Sequence, residues 1–446
     1  MACRVRALVG AVSLSLLLTG CDDQPETPPT YTIGGTVSGL AGSGLMLQNG
    51  LGGVISVPAN ATTFAFSAVP EGISYEVTIR QQPLAPSQTC TVTNGVGTVP
   101  AENVTSIVVT CEKTTDRFAY ITNSENGSIS IFSIGESGLP LPVSDPLAIT
   151  DSAPAGMVFE PTKRFAYVAN GEKATLNVLS VNEDSGVLTV AATVSVGVPV
   201  FELAMDPVGR FLYASSPQGE VRAYSINQAD GLLTEVPGSP FALGGAGREL
   251  QVEPTGRFLY VANESLGALN AFAIDETTGA LTALPGSPFT AVPSVLGVEI
   301  DPAGERVYGV SRDAGAIAGF SLSAATGALT PLAGSPYTAS ASACSMAIHP
   351  LATFAFVPNA VTDNGTVSTF SIAGDGGLTQ VQGSPFAAGK SPCSVAVHPS
   401  GGFVYVVNTG SANVSAYSVD TTTGALTALT GSPVAARAGA STVVIR

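Results

Sequence analysis

Charge is scarce in this chain. Only 11% of its 446 residues are charged, and bases are the scarcer sign, 17 against 33 acids. An acidic surface of that kind speaks against nucleic acid and anionic lipid headgroups as partners. Histidine occurs only twice. No His/Cys cluster or Asp-x-Asp-Gly loop has metal-ligand spacing, so neither a metal nor a cofactor is expected. Long apolar runs are also missing: beyond the N-terminus none reaches the ~18 residues a spanning helix needs. What abounds is Gly (50) and Pro (31), as in an all-β protein full of tight turns.

One stretch organises the rest. Pro254-Thr255-Gly256-Arg257-Phe258-Leu259-Tyr260-Val261-Ala262-Asn263 recurs around Tyr167, Tyr213 and Tyr405, and in weaker form around Tyr120, Tyr308 and Phe356. These seven aromatics lie 46 to 49 residues apart, a period that marks a modular array. Each copy holds four strand-like runs. In the fourth they are Glu249-Leu250-Gln251-Val252, 257–262, 269–274 and 280–284, followed by a Gly-Ser-Pro-aromatic turn at Gly286. Four short antiparallel strands repeated seven times predict a β-propeller over residues 115–446. A solenoid shares the period but needs capped ends, and no caps are visible. The first copy lacks an inner strand, and a spare one, Ser441-Thr442-Val443-Val444-Ile445, follows the last. Strand 441–446 is therefore expected to close the ring, leaving no open edge.

Ahead of the array, residues 1–20 have the form of an export signal, with Arg4 and Arg6 before the apolar run Ala7 to Leu18. The junction Leu18-Thr19-Gly20-Cys21 resembles the bacterial lipobox. The resemblance implies cleavage behind Gly20, diacylation of Cys21 and a lipid anchor in the membrane of the cell envelope, periplasmic or outward-facing. Residues 21–30 form the acylated Cys and a Pro-rich tether. Residues 31–112 lack the repeat and alternate apolar with polar residues in short runs, which predicts a small β-sandwich. Cys90 and Cys111 flank its last predicted strands, and export to an oxidising compartment makes a disulfide between them the expected state. The module resembles immunoglobulin-like or carboxypeptidase-regulatory-like spacers of bacterial lipoproteins.

The phrases Gly-Arg-Phe-Leu-Tyr-Val-Ala-Asn and Thr-Gly-Ala-Leu-Thr resemble the seven-bladed lactonase-like propellers, which include 6-phosphogluconolactonases and muconate cycloisomerase-type enzymes. The resemblance covers about 330 residues. It implies a reactive centre at one mouth of the central channel. The family's Gly-Pro-Arg-His phrase becomes Gly247-Arg248-Glu249 here: Arg248 matches and the His is replaced. Asn263-Glu264 keeps the family's Asn-Glu. In the preceding blade the expected His falls on Phe201, and the Asp-rich loop becomes Ser215-Ser216-Pro217-Gln218-Gly219.

Two readings of Arg248 and Glu264 follow. As catalytic residues, Arg248 polarises a lactone carbonyl and Glu264 acts as base. As structure, they staple two loops of one blade. Glu125, Glu172, Arg312, Asp313 and Asp363 lie on loops expected around the channel mouth. They suit a cation or neutral saccharide better than a phosphorylated lactone, unless the acids are simply solvated turn residues. His349 and His398 precede Pro at the far end of the inner strand, as turn residues do. Cys344 and Cys393 hold equivalent positions on inner strands of adjacent blades, which predicts a second disulfide if their Cα atoms come within about 7 Å.

The sequence thus predicts a lipid-anchored, exported, monomeric all-β protein, a small β-sandwich followed by a seven-bladed β-propeller. Without the family's His positions, the leading expectation is a binding or scaffold module at the envelope, partnered by an envelope protein or a neutral saccharide or lactone. The alternative is a hydrolase opening a lactone or sugar ester at the channel mouth.

Overall fold

The computed structural model describes residues 29–83, 88–113, 118–135, 137–149, 153–340 and 342–446. The leader and Cys21 lie outside the described residues. Every sheet is β, and the only helical turn is a short one at Thr409–Ser411 among the described residues.

Residues 30–113 build their own sheets. The strand Val104–Lys113 lies between Ile33–Ser38, which it meets in parallel, and Gln88–Thr93, which it meets antiparallel. Leu45–Gln48 lies between Val54–Val57 and Thr78–Gln81 in a second sheet. Ile33, Leu45, Leu47, Ile107 and Val109 are wholly buried at the centre of the enclosed cluster. Cys90 sits directly opposite Cys111 in the ladder and is bonded to it, with Cα atoms 3.9 Å apart.

Seven further sheets make the blades. In the fourth blade Gly247–Val252 pairs with Phe258–Asn263, that strand with Ala268–Ile274, and the last with both Leu281–Ala283 and Phe289–Thr290. The sequence pattern anticipates four strands. The fifth, two-residue piece follows from the Gly-Ser-Pro turn, which bends the chain back onto the third strand. There the Ser287 hydroxyl takes the Ala271 N–H at 2.9 Å, and Ser239, Ser335, Ser384 and Ser432 do the same in their blades. The first blade takes its inner strand from the C-terminus: Ala440–Ile445 pairs antiparallel with Phe118–Asn123.

The repeating aromatic explains how blades hold together. Tyr120, Tyr167, Tyr213, Tyr260, Tyr308 and Tyr405 are wholly buried. Each donates its hydroxyl to a glycine carbonyl in the next blade, from Tyr120 to Gly186 at 2.8 Å round to Tyr405 to Gly138 at 2.8 Å. That glycine belongs to the turn of the Thr-Gly-Ala-Leu-Thr phrase. At Gly279 the backbone has φ +76°, and a Cβ there would lie 2.4 Å from the Phe211 ring. Phe-x-Tyr on one blade and Gly on the next are therefore a single device: the phenylalanine ring covers the glycine while the tyrosine satisfies its carbonyl.

Candidate active site

The seven inner strands surround the axis in a common register. Val158, Ala204, Gln251, Glu299, Ala347, Ala396 and Val444 each lie opposite the anchor aromatic of their own blade. One step nearer the mouth, on the same strand face, come Gly156, Glu202, Glu249, Gly297, Ser345, Ser394 and Thr442. Most positions in these two rings carry small or apolar side chains. Three carry carboxyls: Glu202, Glu249 and Glu299.

A cavity of about 330 Å³ opens at the mouth, lined by Phe201, Glu202, Arg248, Glu249, Leu296, Arg312, Ser345, Ser394, Thr409, Ser441, Thr442 and the Cys344 and Cys393 pair among others. A second cavity of about 450 Å³ opens on the far side, against Met157, Phe159, Met205 and Val252. Glu202, Glu249, Ser345, Ser394 and Thr442 line both, so this ring is the partition between the two chambers. Arg248 and Glu249 are consecutive, yet both face the mouth cavity. The ladder shifts register between Gly247 and Leu250, and a bulge of that kind re-aims side chains that would otherwise alternate.

The carboxyls are seated by neighbouring blades. Glu249 Oε2 accepts the Val298 N–H at 3.2 Å and lies over Gly297, where a Cβ would come within 3.0 Å of it. Glu202 lies against Gly156, where a Cβ would meet its Oε2 at 2.6 Å. Glu299 Oε1 accepts the Ile348 N–H and its Oε2 the Gln251 side-chain N–H, both at 3.2 Å. All three keep some exposure, and Glu202 and Glu249 line both chambers, so protein encloses the carboxyls without sealing them. Desolvation pushes Glu202 up to about 7 and Glu299 to about 8, the latter against the pull of its two hydrogen bonds. Glu249 rises well above the ordinary carboxyl range, through burial first and then through the charges of Glu202 and Glu299.

Arg248 and Glu264 do meet. Arg248 Nε donates to Glu264 Oε2 at 2.7 Å, and Arg312 Nη2 reaches Glu264 Oε1 at 3.1 Å. Glu264 therefore clasps two guanidiniums from behind and does not itself line the mouth cavity. Asp313 contacts Arg312 Nε at 3.4 Å and accepts the Ser294 hydroxyl at 2.6 Å; Asp363 pairs with Lys390 at 3.2 Å. Glu125 and Glu172 are exposed. Among the loop residues expected at the mouth, Arg312 is the one that lines the cavity. His349 and His398 each take a backbone N–H two residues on through Nδ1, at 3.1 Å, holding the turn before the second strand. Among the described residues no group of three or more His, Cys, Asp or Glu is placed to hold a metal ion.

Glu202, Glu249 and Glu299 are the residues that the sequence reading missed as a set. Comparison with Phe201 obscured Glu202, which occupies the register of Glu249. The usable signal was the turn acid before Pro: counted back from Asp206 and Glu253, both carboxyls fall four residues earlier, and Glu299 falls two before Asp301.

The model of the seven-bladed β-propeller lactonase family matches residues 81–202, 157–298 and 353–443. The chain belongs to that family. Among solved structures, this lactonase-family chain is similar to a Bacteroides fragilis protein provisionally assigned as a 6-phosphogluconolactonase (TM-score 0.65, 17% identity, 75% of this chain and 99% of that one). It is also similar to the periplasmic gluconolactonase of Pseudomonas aeruginosa (TM-score 0.63, 17% identity, 74% and 98%). A Lactobacillus plantarum protein is a third (TM-score 0.61, 20% identity, 74% and 99%). At these identities the likeness shows the fold. A comparison with curated proteins found no match.

Proposed function

We propose that this propeller is a hydrolase of uncharged lactones or sugar esters, working in the mouth cavity. The observation that carries the reading is the adjacency of Glu202, Glu249 and Arg248 on one cavity wall. Burial raises both carboxyls, and the charge of Glu202 raises Glu249 further, so that Glu202 is the one to ionise first and the two can serve as base and acid. Glu202, which titrates at about 7, takes a proton from water as its oxygen bonds to the lactone carbonyl carbon. Arg248 donates hydrogen bonds to the oxygen on which charge develops. Glu249, held protonated, gives its proton to the ring oxygen as the acyl C–O bond breaks. Transfer of the proton from Glu202 to Glu249 resets the pair.

This set takes the place of the histidines whose absence favoured a scaffold, which is why hydrolysis ranks above binding alone. Arg248 and Arg312 already share Glu264, and among the described residues no further base lines the cavity, so an uncharged substrate fits better than a phosphorylated one. We place the enzyme at the cell envelope, tethered through Cys21.

The test is a pH-stat assay of neutral and phosphorylated lactones. Turnover of the neutral lactones is expected, with kcat/KM rising with pH through about 7 as Glu202 ionises and falling once Glu249 does. Glu249→Gln and Glu202→Gln should each lower kcat by about 10²–10⁴-fold. No turnover by the folded protein would refute hydrolysis and return binding to first place.

A further inference from the structure

We infer that the Cys344–Cys393 disulfide is the positioning element of the mouth wall, and that its reduction by a dithiol switches the site off. The switch rests on the hydrolase reading; the positioning does not. The inner strand of the sixth blade is the exception in the ring. Five other blades have six-residue inner strands, such as Pro392–Val397, and one has four, Glu202–Met205. In the sixth blade the continuous ladder is only Ala347–Ile348, with one isolated bridge from Ala343 to Asn359. Cys344, Ser345 and Met346 therefore have no ladder partner in their own blade. Two ties hold them to the seventh blade instead: the disulfide, with Cα atoms 5.2 Å apart, and the Ser345 hydroxyl donating to the Cys393 carbonyl at 2.7 Å.

The tied residues are also site residues. Cys344 and Cys393 line the mouth cavity, and Ser345 belongs to the partition beside Glu249. Gly297, over which the Glu249 carboxylate lies, packs against the Cys344 carbonyl: a Cβ there would come within 3.1 Å of it. Both cysteines are half-buried at the open mouth, within reach of a thiol entering the cavity. In the exchange a thiolate of the dithiol attacks one sulfur and forms a mixed disulfide. The second thiol then displaces it, so two electrons pass to the protein, Cys344 and Cys393 become thiols, and the reagent becomes the disulfide. Among the described residues, Cys344, Ser345 and Met346 then keep the Ser345 hydrogen bond to the seventh blade, and the seat of Glu249 loosens.

The experiment compares the full-length protein with Cys344→Ser/Cys393→Ser, each with and without dithiothreitol. Amide exchange and neutral-lactone kinetics are followed well below Tm. Reduced wild type and the variant should exchange at least about tenfold faster over residues 342–348 and lose about tenfold or more in kcat/KM, since small misplacements at a reacting centre are costly. Reoxidation should restore the wild type. Dithiothreitol should leave the variant unchanged, because the variant has no Cys344–Cys393 bond left to reduce and its Cys90–Cys111 bond serves as the control; an equal effect on both would assign the change to that other bond and overturn the proposal. Unchanged exchange over 342–348 overturns the positioning role, and unchanged turnover overturns the switch. If oxidised wild type turns over no lactone, hydrolysis fails, while the exchange data still decide the positioning.

Discussion

The Tyr167 hydroxyl donates to the Gly231 carbonyl of the next blade at 2.8 Å, and both groups are shut off from water. Tyr167→Phe leaves that carbonyl unsatisfied and should cost about 1–2 kcal/mol in a chemical denaturation experiment. The seventh anchor, Phe356, already lacks the hydroxyl, so Phe356→Leu tests packing alone at the equivalent place. A larger loss is expected on the glycine side of the same contact. Gly279→Ala must place a Cβ at φ +76° and 2.4 Å from the Phe211 ring, which should cost at least about 2 kcal/mol. Stability equal to wild type in both variants would show that the blades do not rely on this contact. The aromatic, the Phe two residues before it and the glycine turn were all plain in the sequence, because each recurs at fixed spacing. Their meeting across blades was not: a repeat displays what each copy has in common, while the partner of Tyr167 lies 64 residues on.

At the scale of the strand, the chain end has the clearest consequence. Ala440–Ile445 covers one edge of Phe118–Asn123, and the Arg446 N–H and C=O exchange hydrogen bonds with Phe118. Removing residues 440–446 would leave that edge unpaired, and unpaired edges recruit other chains. Dimers or aggregates should appear by light scattering, with a lowered Tm; a monomer of unchanged Tm would refute the prediction. The spare strand was visible because it aligns with other inner strands. The sequence was less informative about the inner strand of the sixth blade, where Cys344-Ser345-Met346-Ala347-Ile348 looks as strand-like as its neighbour Cys393-Ser394-Val395-Ala396-Val397. Apolar alternation indicates which residues can form a strand, whereas the ladder also depends on how two backbones approach. The bulge that turns Arg248 and Glu249 to one cavity is hidden for the same reason: it is a property of the pairing.

For the whole molecule, the channel carboxyls link the proposed chemistry to stability. Glu202, Glu249 and Glu299 ionise near the ordinary 4.5 in the unfolded chain, while in the propeller Glu202 and Glu299 hold their protons to about 7 and about 8, and Glu249 is raised as well. Below 4.5 both states are protonated and the groups cost nothing. As pH rises from 4.5 to about 8 the unfolded chain releases protons that the folded one keeps, so stability falls across that window. His349 works in the opposite sense: burial lowers it from 6.5, so its contribution is lost as pH falls below that value. A difference measurement separates the two. The triple variant Glu202→Gln/Glu249→Gln/Glu299→Gln retains His349 and removes the three titrations. Its Tm relative to wild type should therefore climb steadily between pH 4.5 and about 8; a flat difference would mean that the carboxyls are solvated through the channel and unfit as the acid–base pair. Such a cost fits a site kept for chemistry, since carboxyls that served only the fold would be more stable as the Ala, Gly or Ser found at the same register in other blades. The ring that closes the propeller thus also brings together, from separate repeats, acidic groups that no single repeat reveals.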